Sequence, residues 1–312
     1  MDIVQATPAD LPAIIKLLKT SLGESLVPKS EEYFLWKHEL NTFGKSYTCL
    51  AKEEGELIGL RTFMRWKWQR GNEFHKAVRA VDTATHPDHQ GKGIFKKLTL
   101  HAVEACKLEG DDLVFNSPNN QSRPGYLKMG WKEVGRMPLM LKPGSLIPSK
   151  HSEAKANEIC RNYSFDGDAL QNLQFPVSTE YFHTPLSAQY LLWRYNNCPV
   201  VKYGIATGAG KYGIVFRLKA VKSFTELRIC EFWTMDKEGE RMARTALKKL
   251  ISEVSPLYVS CAPNPLSGSK LGFFGPFKKG PITTVRSLCL NQLDIYEHFN
   301  KWRPSLGSME LF

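Results

Sequence analysis

The residues with the clearest chemical potential lie where a strand pattern runs into a glycine-containing loop that opens a helix. The strand pattern covers residues 76–87, and Gly91 and Gly93 precede the helix pattern. A helix start leaves backbone N–H groups unpaired and carries the positive end of the helix dipole, so it suits a phosphate group. Glycines also let a diphosphate approach the backbone closely. Three lysines add positive charge in the same place: Lys92, Lys96 and Lys97.

This loop resembles the pyrophosphate motif of the GNAT N-acetyltransferase superfamily, which reads Gln/Arg-x-x-Gly-x-Gly/Ala. Gln90, Gly93 and Phe95 stand at its defined positions, although Phe95 replaces the small residue of the family. The resemblance implies acetyl-CoA as co-substrate, with its diphosphate held by main-chain amides of the loop. The cofactor-binding residues implied in this loop are Gln90, Gly91, Lys92, Gly93, Ile94 and Phe95.

A second match to the family follows at the expected distance. Asn119 precedes Tyr126 by seven residues, and residues 126–131 (YLKMGW) are similar to the family segment Tyr-x-Lys-x-Gly-Phe. The resemblance implies that Asn119 bonds the pantetheine arm or a neighbouring backbone group. It also implies that Tyr126 binds near the sulfur and protonates the leaving thiolate, a role that suits a phenol at short range. The structural alternative for Tyr126 is a core position with a satisfied hydroxyl.

The implied mechanism is direct attack of an amine on the thioester carbon. Backbone N–H groups of Val81, Asp82 and Thr83 would polarise the carbonyl as in an oxyanion site. Asp82 ranks first as the base, because it stands where the strand is expected to splay open, and His86 and Asp88 are the other candidates. Asp and His are also common turn and capping residues, and a water chain is an alternative route for the proton.

Length and composition indicate a globular protein with two domains. The chain has 312 residues, of which 42% are hydrophobic and 23% charged. Its net charge of +11 is spread out and predicts an anionic partner, while the lack of a block of basic residues argues against nucleic acid. Seven scattered cysteines without a CxxC pair predict neither a metal site nor a disulfide framework.

Targeting signals are not recognisable in the sequence. No apolar run approaches the ~18 residues that a membrane span requires. The first twenty residues lack the basic start, apolar block and small-residue cleavage site of a signal peptide. We therefore expect a cytoplasmic protein.

Periodicity predicts a mixed α/β (α+β) fold. Thr7 and Asp10 form a capping box at the start of one helix, and a turn at Glu54-Gly55 joins two strands. Another helix pattern covers residues 94–110 and ends in glycine, and a short apolar strand follows. Residues 141–186 are rich in proline and predict a connector with a helical piece near residues 152–163.

The order of features then recurs, which favours a tandem duplication. Residues 33–37 (YFLWK) are echoed by residues 190–194 (YLLWR), and in both halves two strands, another strand and a helix follow. We therefore predict two GNAT-like units, each a mixed, mostly antiparallel sheet flanked by helices. The predicted domains are an acetyl-CoA-binding unit (1–140), a connector (141–186) and a degenerate unit (187–312).

The second unit lacks the phosphate loop. Where the duplication would place it, residues 235–241 (MDKEGER) carry acidic side chains that repel phosphate. We expect this unit to wall the acceptor cleft or to present acceptor-binding groups, and the tail 305–312 to dock on a surface.

Three competing signals carry less weight. The GxGxxG pattern of residues 208–213 lies between two strands, which favours a hairpin turn. A basic and aromatic strand that contains Trp66 and Trp68 could stack on a sugar or base, but a half-exposed sheet strand explains it as well. No GxSxG element accompanies the Ser, His and Asp residues, so a hydrolase triad is unsupported.

The sequence thus favours an N-acetyltransferase that moves an acetyl group from acetyl-CoA to a small amine, such as an amino sugar or an envelope precursor. One alternative is an aminoacyl-tRNA-dependent transferase of the tandem GNAT-like type, against which the intact loop of residues 90–95 argues. The other alternative is a non-catalytic module that binds acyl-CoA, in which Tyr126 would have no chemical task.

Overall fold

Eleven strands, within the residues that the structure describes, are hydrogen-bonded into one sheet. The computed structural model describes residues 1–23, 27–165, 170, 173–264, 266–267 and 271–309. In chain order the strands are β1 (Asp2–Gln5), β2 (Tyr47–Glu53), β3 (Glu56–Arg70), β4 (Glu73–Thr85), β5 (Leu113–Asn116), β6 (Lys132–Pro143), β7 (Gly204–Gly208), β8 (Tyr212–Val221), β9 (Phe224–Thr234), β10 (Tyr258–Cys261) and β11 (Phe274–Ser287). Their spatial order is β1-β2-β3-β4-β5-β11-β6-β10-β9-β8-β7.

Two long helices cover one face of this sheet, one in each half. The helices are α1 (Leu11–Leu22), α2 (Glu31–His38), α3 (Ile94–Leu108), α4 (Arg123–Lys128), α5 (Glu153–Arg161), α6 (Ala188–Leu191), α7 (Lys237–Val254) and α8 (Leu306–Met309). Helix α3 buries Ile94 and Leu98 in the same core cluster as Phe63 of β3. Helix α7 buries Leu247 with Ile214 and Phe216 of β8. No helix among the described residues combines the length and the apolar character needed to cross a bilayer.

Local sequence signals set several element boundaries as expected. The Asp10 carboxylate accepts from the Thr7 backbone N–H at 2.8 Å and from the Thr7 hydroxyl at 2.7 Å, which starts the α1 segment. Glu54 and Gly55 both have positive φ and form the β2–β3 turn. The GxGxxG pattern is a hairpin turn between β7 and β8, as the flanking strands predict. The helical piece of the connector is α5.

The predicted α/β fold class is confirmed, and the two sets of strands join edge to edge because their last strands are exchanged. Strand β11, from the second half of the chain, pairs with β5 of the first half through residues 284–287. Strand β6, from the first half, pairs with β10 through Met140–Pro143. The same β6 and β11 pair with each other at the centre of the sheet. The division of the chain into units at residues 140 and 187 stays a prediction.

The echoed tryptophans face each other across the two halves. Trp36 Nε1 donates to the Trp193 carbonyl at 2.7 Å, and Trp193 Nε1 donates to the Trp36 carbonyl at 2.8 Å. Their rings stack with centroids 5.7 Å apart. Both side chains are buried in the largest core cluster, on the face opposite α3. This reciprocal contact is the geometry that a two-fold arrangement of similar segments produces.

The expectation of a half-exposed aromatic strand was wrong. Trp66 is 2% exposed and Trp68 is fully buried. Residues of the segment 178–184 and of the chain near Trp302 cover this face of β3, since Trp66 Nε1 donates to Thr184 Oγ1 and Trp68 packs edge-on against Trp302. The covering segments lie more than one hundred residues away in the sequence, so the strand's own pattern could not reveal them.

The reciprocal tryptophan contact predicts a measurable coupling between the halves. Trp36→Phe leaves the buried Trp193 carbonyl without its donor, so we expect the free energy of unfolding to fall by about 1–3 kcal/mol. Trp193→Phe should act similarly. Urea denaturation of both single variants and the double variant should give a coupling energy of about 0.5 kcal/mol or more. Strict additivity of the two losses would show that the pair does not act as one contact.

Candidate functional site

The site begins where β4 and β5 separate. The two strands pair in parallel only from Ala77 with Leu113 to Arg79 with Phe115. Strand β4 continues to Thr85, whereas β5 ends at Asn116. Beyond this end, β11 forms the other side of the opening, and Thr284 Oγ1 donates to Asn116 Oδ1 at 2.5 Å to fix it there. The edge of β4 that faces the opening therefore has no β5 partner and offers backbone groups for a ligand.

The glycine loop lies at the start of α3, beside this opening. Gly91 and Gly93 have φ of 79° and 75°, a region in which glycine is favoured. Space is open around both, since an added Cβ would meet nothing within 4 Å. Gly93 is the N-cap of α3, and no side chain caps the helix there. The first N–H groups of α3 thus have no intrahelical partner.

The end of β4 and the loop share one cleft of about 580 Å³, which we call the N-terminal cleft. Most of the sequence-predicted cofactor residues line it: Thr83, Gln90, Gly91, Gly93, Ile94, Phe95 and Asn119. Asp82 and Lys92 are chain neighbours of lining residues and Val81 lies two positions from Thr83, but none of the three forms the wall. The structure therefore assembles the strand and the loop into one concave surface of the size that small-ligand sites have, ~300–1,000 Å³.

Sequence reasoning missed part of this wall. Ser21 and Leu22, at the end of α1, line the cleft from a distant part of the chain, and no local signal marked them. Gln121 and Ser122 line it from the segment that leads into α4, and Gly125 lines it from the first turn of α4. The Arg-Pro-Gly sequence of that segment could have pointed to Gly125. A Cβ there would lie 3.2 Å from the Phe95 ring, so a small residue makes room for it.

Asn119 organises the backbone of this segment. Its Oδ1 accepts from the N–H of Gln121 at 3.1 Å and from the N–H of Ser122 at 2.8 Å. The side chain therefore holds the loop that forms one wall of the cleft. Of the two roles that the family resemblance implied, the observed bonds correspond to contact with a neighbouring backbone group.

Tyr126 is buried behind Phe95 and is bonded to an arginine. The rings of Phe95 and Tyr126 meet edge-on with centroids 5.4 Å apart, and Phe95 stands between the phenol and the cleft. Arg61 Nη2 donates to the Tyr126 hydroxyl oxygen at 2.6 Å. Because that oxygen accepts from Arg61, the hydroxyl keeps its own proton for donation.

Arg61 is a polar residue that sequence reasoning did not identify as part of the site. It is fully buried on β3, opposite Thr83 of β4. Its guanidinium carbon lies 4.9 Å from the Phe63 ring centroid and 5.3 Å from that of Tyr126. In the described part of the chain, its Nε and Nη1 have no hydrogen-bond partner. A buried cation with unused donors next to the β4 edge points to a polar ligand at this place.

Asp82 is held by a lysine and a histidine from α2. It is the extra residue of a bulge in β4, with φ of 26°. Its Oδ2 lies 2.7 Å from both Lys37 Nζ and His38 Nε2, and His38 Nδ1 lies 2.9 Å from Ser46 Oγ. The side chain of Asp82 is 23% exposed, whereas those of Lys37 and His38 are buried.

This pairing fixes the charge of Asp82. Burial by itself raises the pKa of Asp82, but the Lys37 ammonium and the His38 hydrogen bond outweigh burial and hold that pKa well below the usual carboxyl range. Burial lowers the pKa of His38, although Asp82 opposes this change. An ionised Asp82 beside a protonated Lys37 and a neutral His38 is therefore the state expected at neutral pH.

His86 and Asp88 lie in the exposed turn that follows β4. The Asp88 backbone N–H donates to His86 Nδ1 at 3.4 Å, and the side chains of His86 and Asp88 are 36% and 84% exposed. The structure thus brings Asp82 to the separated edge of β4 and leaves His86 and Asp88 in the turn between that edge and the glycine loop.

A family model of the acetyltransferase (GNAT) domain matches residues 2–134. This part of the chain is similar to the GNAT acetyltransferase domain, and it contains the glycine loop. No curated protein matched the chain.

Solved structures with the same fold match nearly the whole chain. A GCN5-related N-acetyltransferase from Anabaena variabilis aligns with a TM-score of 0.60 at 12% identity, over 92% of this chain and 72% of that chain. A GCN5-related N-acetyltransferase from Kribbella flavida gives 0.60 at 13%, over 92% and 71%. Eis1 from Mycobacterium abscessus gives 0.55 at 14%, over 96% and 76%. At these identities the likeness concerns the fold, which in these proteins extends over both halves of our chain.

The Asp82 ion pair predicts a pH-dependent loss of stability. Asp82→Asn leaves the buried Lys37 ammonium without its counter-charge, which we expect to lower the free energy of unfolding at pH 7 by about 3–5 kcal/mol. The folded pKa of Asp82 is depressed, so its contribution is present above the unfolded carboxyl pKa of about 4 and is lost as the pH falls below it. Urea denaturation between pH 7 and pH 3 should therefore show the gap between wild type and variant narrowing in acid.

Asp88→Asn provides the matched control, because this carboxylate is exposed on the nearby turn. Its substitution should change the free energy of unfolding by about 0.5 kcal/mol or less at any pH in this range. If Asp82→Asn had an equally small effect, the buried ion pair would not contribute to folding in the way described.

Proposed function

We propose that the protein transfers an acetyl group from acetyl-CoA to the amine of a small molecule by direct attack on the thioester. The observation that carries this proposal is the N-terminal cleft, which joins an open helix start to a strand edge without a partner. The N–H groups of the helix start suit the diphosphate of acetyl-CoA, and the backbone groups of the strand edge suit the carbonyl of its thioester. The two parts lie at opposite ends of an extended ligand.

The diphosphate binds at the loop of residues 90–95. The free N–H groups at the start of α3 and the helix dipole favour an anion there. Lys96 lines the cleft and Lys92 adjoins it, so both add positive charge. Asn119 acts on the pantetheine arm through the loop it holds, since its Oδ1 is engaged with backbone N–H groups.

The carbonyl of the thioester is polarised by the backbone of residues 81–83. Strand β4 has lost its β5 partner there, and the Asp82 bulge interrupts its pairing with β3. The extra residue of a bulge has backbone N–H and C=O groups that do not hydrogen-bond to the neighbouring strand. Preorganised N–H groups that point at a developing oxyanion lower the barrier of acyl transfer.

Asp82 and His86 are the side chains proposed to handle the amine. An ionised Asp82 attracts a protonated amine to the opening, but its depressed pKa makes it a weak proton acceptor. His86 stands in the turn after β4 and is the alternative base, directly or through water. The amine loses its proton, attacks the thioester carbon, and the C–S bond breaks to release coenzyme A.

Tyr126 is proposed as the proton donor to the leaving thiolate. The Arg61 bond orients its hydroxyl and leaves the phenolic proton free. The phenol lies one ring deeper than the cleft wall, so it must reach the sulfur past the edge of Phe95. Arg61 is then a positioning residue for Tyr126.

The glycine loop provides the first test of cofactor binding. Gly93→Val places a branched side chain at a positive φ and in the open space of the loop, so acetyl-CoA should no longer raise the melting temperature. Gly110→Val is the matched control, because Gly110 has φ of 78° at the other end of α3 and also faces open space. It should keep the shift, and wild type should release coenzyme A thiol when amines are added. A shift that survived in Gly93→Val would remove the diphosphate from this loop.

Tyr126→Phe tests the proton donor separately from binding. We expect the acetyl-CoA shift to remain and kcat to fall by about 100-fold or more, as loss of a general acid does. Unchanged turnover would exclude Tyr126 as the donor.

A further inference from the structure

A second cavity lies in the other half of the sheet, and neither the glycine loop nor the proposed acetyl transfer uses it. This C-terminal cavity has a volume of about 640 Å³ and lies between residues 134–140 of β6 and residues 229–232 of β9. It exists because β10 is short. Strand β10 pairs with β9 only through residues 258–260 and with β6 only through residues 140–143. Past its end, the two longer strands stand apart.

The cavity corresponds in position to the opening between β4 and β11 in the first half of the sheet. There, β4 and β11 stand apart past the end of β5, and a helix packs on the same face of the sheet. The second half has the same arrangement. There β9 corresponds to β4, and β6 corresponds to β11. The short strand β10 corresponds to β5, and helix α7 corresponds to α3. The fold therefore keeps a slot between strands even though the sequence has no phosphate loop.

A diphosphate is excluded from this second slot by the start of α7. The Asp236 carboxylate caps the helix by accepting from the Gly239 N–H at 2.7 Å, and Glu238 follows in the first turn. The β7–β8 turn also covers the helix start, since a Cβ on Gly239 would lie 2.2 Å from the Lys211 carbonyl. The positive end of this helix is already neutralised and blocked, so the ligand cannot be coenzyme A in its usual pose.

Most side chains that line the C-terminal cavity are apolar, and several are basic. Among the described residues, the lining contains no acidic side chain. Ile229, Leu247 and Phe299 represent the apolar part, and Arg136, Lys278 and Arg303 supply positive charge. Asn264 adds a buried Nδ2 that has no acceptor within the described residues, while its Oδ1 accepts from the Leu266 N–H. A buried amide donor without an acceptor calls for a ligand oxygen or water.

The two arginines are held in place before any ligand arrives. The Arg303 guanidinium stacks 4.5 Å from the Tyr181 ring centroid, and Arg136 Nη1 donates to the Gly280 carbonyl at 3.4 Å. Cations that are fixed beside an apolar wall recognise an anionic head better than mobile surface lysines, because less side-chain entropy is lost on binding.

We propose that the C-terminal cavity binds an amphipathic anion, namely an aliphatic chain with a carboxylate or phosphate head. The chain packs between β6, β9 and α7, and the head accepts from Arg303, Arg136 and Asn264. This site is independent of acetyl-CoA binding, so the two assignments can fail separately.

Calorimetric titration of the full chain with C12 ligands tests this assignment. We expect laurate or dodecyl phosphate, below their micelle concentrations, to bind once per chain, and their order of affinity identifies the head group. Dodecyltrimethylammonium and dodecanol should bind at least about tenfold more weakly, because they offer no anion to the arginines. Equal binding of the cationic chain would overturn the proposal.

Three variants locate the ligand. Arg303→Gln should weaken laurate binding by about tenfold, whereas Lys301→Gln, an exposed neighbour outside the cavity, should not. Ala262→Leu should obstruct the chain without changing charge. Gly93→Val should bind laurate normally, and loss of binding there would move the ligand to the N-terminal cleft. If Arg303→Gln, folded by circular dichroism, bound like Lys301→Gln, the cavity would not be the site.

Discussion

The pairing of β11 with β5 is the constraint on which the rest of the architecture depends. Only four residues of each strand take part, Leu113–Asn116 and their partners 284–287, yet they join a strand from the end of the chain to the first half. Because β5 is so short, β11 continues beyond its end with β6 as a partner on one edge only, and its other edge faces the free edge of β4 across a gap. The reciprocal exchange places β6 beyond β10 and produces the second gap. Neither opening exists in the isolated halves.

The two openings differ in electrostatics rather than in backbone architecture. At the first, Gly91 and Gly93 leave the start of α3 uncapped and surrounded by space. At the second, Asp236 caps α7 and the Lys211 turn packs against it. A helix start attracts an anion only when its N–H groups are unpaired and accessible. An acidic cap in place of a glycine loop therefore removes the anion-binding groups at the helix start without changing the sheet around it.

The elements that the sequence predicted well are those whose signals are local. The loop of residues 90–95, the capping box at Thr7 and the α3 helix each depend on neighbours within a few positions, and the structure has them where expected. The strand exchange was not predicted, because β6 and β11 find their partners through contacts more than one hundred residues apart. Arg61 was not identified for the same reason. Its role in the site depends on its contacts with residues of α3 and α4, which are distant in the sequence.

One carboxylate in each half, Asp82 and Glu231, lies at a similar place in the backbone but has different surroundings. Asp82 is a bulged residue of β4, and Glu231 adjoins the bulge of β9. The residues that contact them occupy echoed positions, His38 in α2 and Tyr195 after α6. Both carboxylates thus occupy comparable places behind the separated strands.

Their surroundings decide what each carboxylate can do. The Asp82 carboxylate is paired with Lys37, and its side chain is partly exposed. It is therefore a fixed anion next to the N-terminal cleft. Glu231 accepts from the hydroxyls of Tyr190, Tyr195 and Ser305, and burial raises its pKa. A carboxyl surrounded by hydroxyl donors and shielded from water has little to offer a substrate, but it ties the end of the chain to β9. The carboxylate of the first half therefore stays charged and partly exposed, while the second half uses the equivalent position to close its core.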